Sequence, residues 1–259
     1  MFAIRELPEP VEAVREDHAS DAVVVDCDRD FETLPSALAE DLGLLVDSLE
    51  PASYPAAWLP EDAPTLLARY AGSDFTVGMP GDGSVAWTRQ TDPPVVIVKP
   101  RVEGAPESFV EFLIAEALLE VGLEVPEHFL GFFEDGYRDL DAAVPLEANS
   151  TYQVGAALYD GWTGLSTRTV FSTFHEDSPD LADAWQDAGD RLEGRIAGLP
   201  SAVARGETDF PDATELACAA IKHAIELPAP FAALETESYR DHGPEYAIRW
   251  GEKTFEALE

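Results

Sequence analysis

Positive charge is the scarcest property of this sequence. Lysine and arginine together number 16, against 51 aspartates and glutamates, which gives a net charge of −35. Lysine itself occurs only at positions 99, 222 and 253. A surface with so dense a negative charge repels both nucleic acid and anionic membranes. The composition therefore excludes ordinary nucleic-acid binding and anionic-membrane binding as functions.

Cysteine and long apolar runs are also scarce. Cys27 and Cys218 are the only cysteines and lie far apart, so they form neither a disulfide framework nor a metal-ligand spacing. The five histidines show no pairing typical of a metal-binding helix. The most apolar stretch, 109–121, is interrupted by three glutamates, and the first six residues lack the apolar core of a signal peptide. We expect a cytoplasmic protein with no membrane span, no metal and no cofactor.

The acidic residues are spread along the whole chain, while 46% of positions are hydrophobic. Such a chain can bury a core, so it is folded rather than a disordered acidic tail. An evenly spread charge with few lysines indicates adaptation to salt, because at about 1 M salt the Debye length falls to about 3 Å and the self-repulsion is screened. We expect high cytoplasmic salt to be required for folding. The alternative explanation is that the acidic residues bind a basic partner or many divalent cations. Acidic residues with that role would be clustered rather than evenly spread.

The pattern of the chain predicts the α+β class, with a predominantly helical body and a small antiparallel sheet at about residues 74–99. Segments 74–77 and 84–88 flank a glycine-bearing turn and favour a hairpin. The run Val95-Val96-Ile97-Val98 predicts a buried third strand, and a strand at 22–26 can join the same sheet.

Apolar periodicity predicts helices over 10–18, 34–49 and 65–70, and helical structure from Pro106 onward. Capping-box spacing places the starts of two later helices at Ser150 and Asp212. We expect one domain over 1–259, which allows two lobes: an α+β lobe over 1–145 containing the sheet, and a helical lobe over 146–259.

Several segments carry a resemblance to a known family. They are residues 74–83, 87–94 and 95–101, together with Tyr159-Asp160-Gly161-Trp162 and 184–189. The chain resembles, nearly end to end, a haloarchaeal family of small acidic proteins catalogued only as a domain of unknown function. The resemblance implies a salt-rich cell interior. It implies no catalytic residue, because the family has no established activity.

In so acidic a chain the informative signal is local positive charge. Arg89, Lys99 and Arg101 lie close together along the predicted sheet, and could hold an anion or a phosphate by charge-assisted hydrogen bonds. Glu116 and Asp82 are the candidate acid and base beside them. The alternative is that these cations pair with carboxylates of the same chain.

Two enzyme patterns are incomplete in this sequence. A kinase-like interpretation would pair Lys99 with Glu111 or Glu116, but the turn lacks the kinase glycine spacing and no Asp-Phe-Gly follows. Asp26-Cys27-Asp28 resembles the first strand of haloacid-dehalogenase-type phosphatases, yet Asp30 stands where that family has Thr or Val. With 51 acidic residues, such acidic motifs arise by chance.

Two functions from different classes remain open. We expect a non-catalytic binding or regulatory protein, whose partner the sequence does not identify, because no complete catalytic constellation can be assembled. The alternative is a small enzyme, or a protein that binds a nucleotide or anionic metabolite, with its site near the 74–101 sheet. Convergence of Lys99, Arg101 and a carboxylate in one cleft would favour the alternative.

Overall fold

The computed structural model describes residues 1–31, 34, 36–72, 77 and 83–258. Contacts divide the chain into two compact units. Unit 1 comprises Met1–Tyr54, Arg69–His128 and Ser178–Ala184, and unit 2 comprises Pro55–Ala68, Phe129–Asp177 and Trp185–Glu259. The lobes predicted over 1–145 and 146–259 stay a prediction, because a division of the chain by contacts does not show which segments fold independently.

Unit 1 contains the sheet strands of the described chain. They are β1 (Phe2–Ile4), β2 (Val23–Cys27), β3 (Ser48–Leu49), β4 (Val85–Thr88), β5 (Thr91–Asp92) and β6 (Val95–Val98). Four of them form one sheet in the order β1-β2-β6-β4, and β3 pairs with β5 in a separate two-stranded ladder. All four residues of β6 are buried, as its unbroken apolar run predicts, because the strand lies between β2 and β4.

The predicted α+β class is confirmed, and so is the participation of the 22–26 strand. The antiparallel arrangement predicted for 74–99 holds for β4 and β6, and the strand that joins them makes the whole sheet mixed. β4 does run antiparallel to β6, but β2 runs parallel to it, with Val23 opposite Val95 and Asp26 opposite Val98. A long connection between β2 and β6 makes the parallel pairing possible. The predicted strand at 74–77 and its turn lie outside the described residues, except for the buried Val77 and for Gly83.

Unit 1 also contains helices, one of which packs directly against the sheet. They are α1 (Glu9–His18), α2 (Ser36–Leu42) and α4 (Glu107–Gly122), together with the last residues of α3 (Thr65–Ala71). α4 is buried over most of its length and packs against α1, β4 and β6. The predicted helix over 34–49 is too long. It ends at Leu42, Leu44 is exposed, and Leu49 pairs with Thr91 in β3.

Unit 2 is helical in its described residues. Its helices are α5 (Phe129–Phe133), α6 (Gly136–Ala143), α7 (Ala148–Phe171), α8 (Phe174–Asp177), α9 (Pro179–Ile196, which starts within unit 1), α10 (Leu199–Ala204), α11 (Phe210–Ile221) and α12 (Glu237–Leu258). α7 packs closely against α11, because Gly161 and Gly164 leave room for Cys218 and Lys222.

Both capping-box predictions miss the observed helix starts by two residues. α7 begins at Ala148 rather than Ser150, and α11 begins at Phe210. In α11 the cap is the carboxylate of Asp209, which accepts a hydrogen bond from the Asp212 amide at 2.9 Å. α12 is bent at Gly243, which has a positive φ of 42° and is followed in the chain by Pro244. Beyond this bend the helix runs from 244 to 258 beside a 3₁₀ turn, Phe231–Glu235.

Candidate ligand-binding site

The sheet separates the three cations that the sequence suggested as an anion site. Lys99 directly follows β6, and its amide donates to the carbonyl of Ser84, just before β4 begins. Arg89 directly follows β4, beyond the point where Thr88 pairs with Val95. Because β4 and β6 are antiparallel, Arg89 lies at the opposite end of the strand pair from Lys99. Only Lys99 and Arg101 approach a common segment.

That common segment is Asp30-Phe31. The Lys99 side chain is 1% exposed, and its Nζ lies 4.6 Å from the centre of the Phe31 ring, a cation–π distance. Arg101 donates from Nε to Oδ1 of Asp30 at 2.6 Å and from a terminal nitrogen to the Phe31 carbonyl at 3.4 Å. Arg101 is therefore held by a carboxylate and a carbonyl of its own chain, as the alternative interpretation of these cations expects.

Arg89 is also engaged by the protein itself. Its guanidinium donates to the Val125 carbonyl, and its backbone amide donates to Oε2 of Glu127 at 2.9 Å. Gln90 donates from Nε2 to the other Glu127 oxygen at 2.7 Å and accepts from the Ala52 amide at 2.8 Å. These contacts join the chain at 52, 89–90 and 125–127. The assignment of Arg89, Lys99 and Arg101 to an anion site stays a prediction.

Burial shifts the pKa values of several groups in this polar cluster. Desolvation raises the pKa of Glu127, although hydrogen bonds from Gln90, Arg89 and Thr88 oppose the rise. Burial lowers the pKa of His128 to about 3, so this histidine is neutral at ordinary pH. Its ring centre lies 4.5 Å from that of Tyr70 and 5.9 Å from that of Tyr54. Burial, with the charge of Glu127 adding to it, raises the pKa of Tyr54 to about 12.

The two candidate acid–base residues are not brought together by what the structure describes. Glu116 lies on α4 and is buried, and Asp82 lies outside the described residues. Their assignment as acid and base stays a prediction.

A groove of about 530 Å³ lies in unit 2, between α12 and the 3₁₀ turn. It is lined by Ala229, Pro230, Ala233, Tyr246, Arg249, Trp250, Lys253, Thr254 and Ala257. Two hydrogen bonds fix its walls: Trp250 Nε1 donates to the Pro230 carbonyl at 3.0 Å, and the Tyr246 hydroxyl donates to the Ala233 carbonyl at 3.0 Å. These hydrogen bonds tie α12 to the turn along the groove.

Two cations, Arg249 and Lys253, stand in this otherwise largely apolar lining. They are one helical turn apart on α12 and both are exposed. Neither forms an ion pair or a side-chain hydrogen bond with any residue in the described part of the chain. Three further arginines form no ion pair or side-chain hydrogen bond in the described part of the chain, but they do not line the groove: Arg29, Arg69 and Arg195.

A second groove, of about 560 Å³ in unit 1, shows the opposite arrangement. Its cations are Arg5 and Arg15, and each is already paired. Arg5 contacts Asp26 at 2.6 Å, and Arg15 contacts Glu12 at 2.6 Å. Of these two grooves, the one beside α12 has cations that no other described residue pairs with.

Sequence reasoning missed Arg249 and Lys253, although a signal was present. The two cations are spaced four residues apart in the sequence, and Trp250 lies between them. In a chain with only 16 cations, two that share one face of a helix beside a tryptophan can be found by inspection. Nothing in the sequence indicated that the 3₁₀ turn would pack beside α12 and form the second wall of the groove.

Within 1–31, 34, 36–72, 77 and 83–258, no three or more His, Cys, Asp or Glu side chains are placed to hold a metal ion. Over the same residues, each helix is too short or too polar to cross a lipid bilayer.

Residues 1–258 match the model of a family described as "Family of unknown function (DUF7089)". The chain therefore belongs to this family, and the predicted membership of an uncharacterised family is confirmed. No curated protein and no solved structure matches the chain.

Proposed function

We propose that this member of the DUF7089 family is a non-catalytic binding protein of a salt-rich haloarchaeal cytoplasm, and that it holds its ligand in the groove beside α12. One observation carries the proposal. Arg249 and Lys253 line an apolar groove and have no partner among the described residues, although the chain carries 51 acidic residues.

The dimensions and chemistry of the groove support ligand binding. Pockets for small molecules commonly enclose about 300–1,000 Å³, with mostly apolar walls and a few polar groups that orient the ligand. The α12 groove has a volume of about 530 Å³ and a wall that includes Trp250. Trp250 packs against Phe210 and Phe231, whose ring centres lie 5.9 and 6.0 Å from its own. A ligand would meet a surface that needs little reorganisation.

Occlusion of the groove tests this function. In multimolar KCl, we expect the fluorescent probe 8-anilinonaphthalene-1-sulfonate to bind saturably to the folded protein. The substitution Ala233→Trp should abolish that binding, because the new side chain fills the groove. The matched control is Ala232→Trp, which adds the same bulk at an exposed neighbour outside the groove.

Circular dichroism of both variants shows whether the fold is retained. Absence of saturable binding to the wild-type protein would overturn the proposed site. Binding that survives in folded Ala233→Trp would also overturn it, and would favour the runner-up function, an enzyme or anion-binding protein with its site near the 74–101 sheet.

A further inference from the structure

We infer that the ligand of the α12 groove is an amphiphile: an apolar chain or ring that carries one anionic head group. This inference rests on the proposed function, because it specifies the ligand of the same site. The head group would contact Arg249 and Lys253, and the apolar body would lie against Pro230 and Trp250.

Charge complementarity gives the sign of the ligand. Like charges one turn apart on a helix repel each other. Glu245, Glu252 and Glu256 lie on the same helix, but none of them forms an ion pair with either cation in the described structure. An anion between the two side chains removes that repulsion and gains charge-assisted hydrogen bonds from the guanidinium and the ammonium. A cationic ligand would add to the repulsion.

Salt then decides between a bare anion and an amphiphile. At about 1 M salt the Debye length is about 3 Å, so the two cations attract an anion only at contact. A small anion without an apolar part would also compete there with molar concentrations of the anion of the salt. The main part of the binding free energy must therefore come from apolar surface, which salt does not screen.

The small side chains of the groove leave space for that apolar body. Ala229, Ala233 and Ala257 occupy lining positions where a larger side chain would fill the volume. Thr254 also lines the groove, one position after Lys253. The wall opposite α12 is apolar, whereas α12 itself contributes both polar groups and the apolar Trp250 and Ala257.

A series of three probes with the same body tests the inference. They are 4-phenylbutyrate, which is anionic, 4-phenyl-1-butanol, which is neutral, and 4-phenylbutylamine, which is cationic. In multimolar KCl, followed by calorimetric titration of the folded full-length protein, we expect the carboxylate to bind about tenfold more tightly than the alcohol, and the amine more weakly still. Inorganic phosphate alone should bind more weakly than the carboxylate.

Charge removal at the groove supplies the second readout. Arg249→Gln and Lys253→Gln should each weaken phenylbutyrate binding severalfold and leave the alcohol unchanged. Arg195→Gln is the matched control, since Arg195 is also an exposed helical arginine with no partner among the described residues but lies outside the groove.

The outcomes separate the ligand class from the proposed function. If the alcohol or the amine binds as tightly as the carboxylate, and the binding is lost in Ala233→Trp, the groove stands and the anionic amphiphile is wrong. Equal binding of inorganic phosphate and phenylbutyrate also overturns the amphiphile. If none of the three phenylbutyl probes binds to the folded protein, the proposed function fails with it.

Discussion

His128 is a neutral histidine buried between two tyrosines, and that placement couples stability to acid. Its pKa is lowered to about 3 by burial, whereas in the unfolded chain it is near the ordinary value of 6.5. Between these two values the unfolded chain binds more protons than the folded one, so stability falls as the pH falls. Above about pH 6.5 the residue exerts no such effect.

We therefore expect His128→Phe to flatten the acid side of the stability profile. By linkage, the wild-type residue accounts for about 2 kcal/mol of stability lost between about pH 7 and about pH 5. Urea unfolding at constant KCl measures this difference for both proteins. His242→Gln is the control, because His242 is exposed, and its profile should follow that of the wild type.

Glu127 acts in the opposite direction, which helps to separate the two residues. Its pKa is raised in the folded state, so the folded chain binds more protons than the unfolded one just above the ordinary glutamate value. Its contribution therefore decreases as the pH rises through that window. An unchanged slope in His128→Phe would show that carboxylates, not this imidazole, dominate acid unfolding.

At the scale of elements, the contact between α1 and α4 depends on the absence of a side chain at one position. Gly122 is the last residue of α4, and a Cβ there would overlap the carbonyl oxygen of His18, with the carbonyl carbon only 2.9 Å away. Since the overlapping atoms are backbone, they cannot rotate aside. The end of α1 lies against α4 because residue 122 is glycine.

Gly122→Ala is accordingly expected to lower the free energy of unfolding by about 1–3 kcal/mol, the range typical of overpacking. The matched control is Gly194→Ala in α9, where nothing lies within 4 Å of the added carbon. There alanine should stabilise by up to about 1 kcal/mol, because it is the better helix former. Equal effects in the two variants, measured by urea unfolding, would contradict the overlap.

Elements that depend on a local sequence pattern were predicted well, whereas features that depend on contacts between distant segments were not. The α+β class, α1 and the buried strand β6 were predictable, because local periodicity and β-branched runs determine them. The length of α2 was not predictable, since Leu45 and Leu49 continue a helical spacing in segments that are loop and strand. The parallel pairing of β2 with β6 was missed because register between distant strands leaves no local pattern.

The candidate site shows the same limit. Lys99 and Arg101 were predicted to lie together, and both contact the Asp30-Phe31 segment. Arg89 is close to Lys99 in the sequence but not in the structure. Arg89 follows β4 and Lys99 follows β6, and because these strands are antiparallel, their ends lie at opposite edges of the pair. Arg249 and Lys253 became informative only when the 3₁₀ turn supplied the second wall of their groove.

For the whole molecule, the net charge of −35 leads to a prediction about solvent. The fraction of folded protein, followed by circular dichroism across a KCl series, should rise with salt as the repulsion is screened. A variant with Asp183→Asn, Asp190→Asn and Glu193→Gln, three exposed acids of α9, should reach its midpoint at lower salt. Full stability in dilute buffer would contradict the salt-rich setting.

The parallel pair of β2 and β6 also constrains biogenesis. Val23 pairs with Val95, so the centre of the sheet cannot assemble on the ribosome until more than the first third of the chain has emerged. Unit 1 also includes Ser178–Ala184, which are synthesised later still. Until then the nascent chain holds the valine-rich β2 without its parallel partner, and an unpaired strand of this kind can pair with another chain.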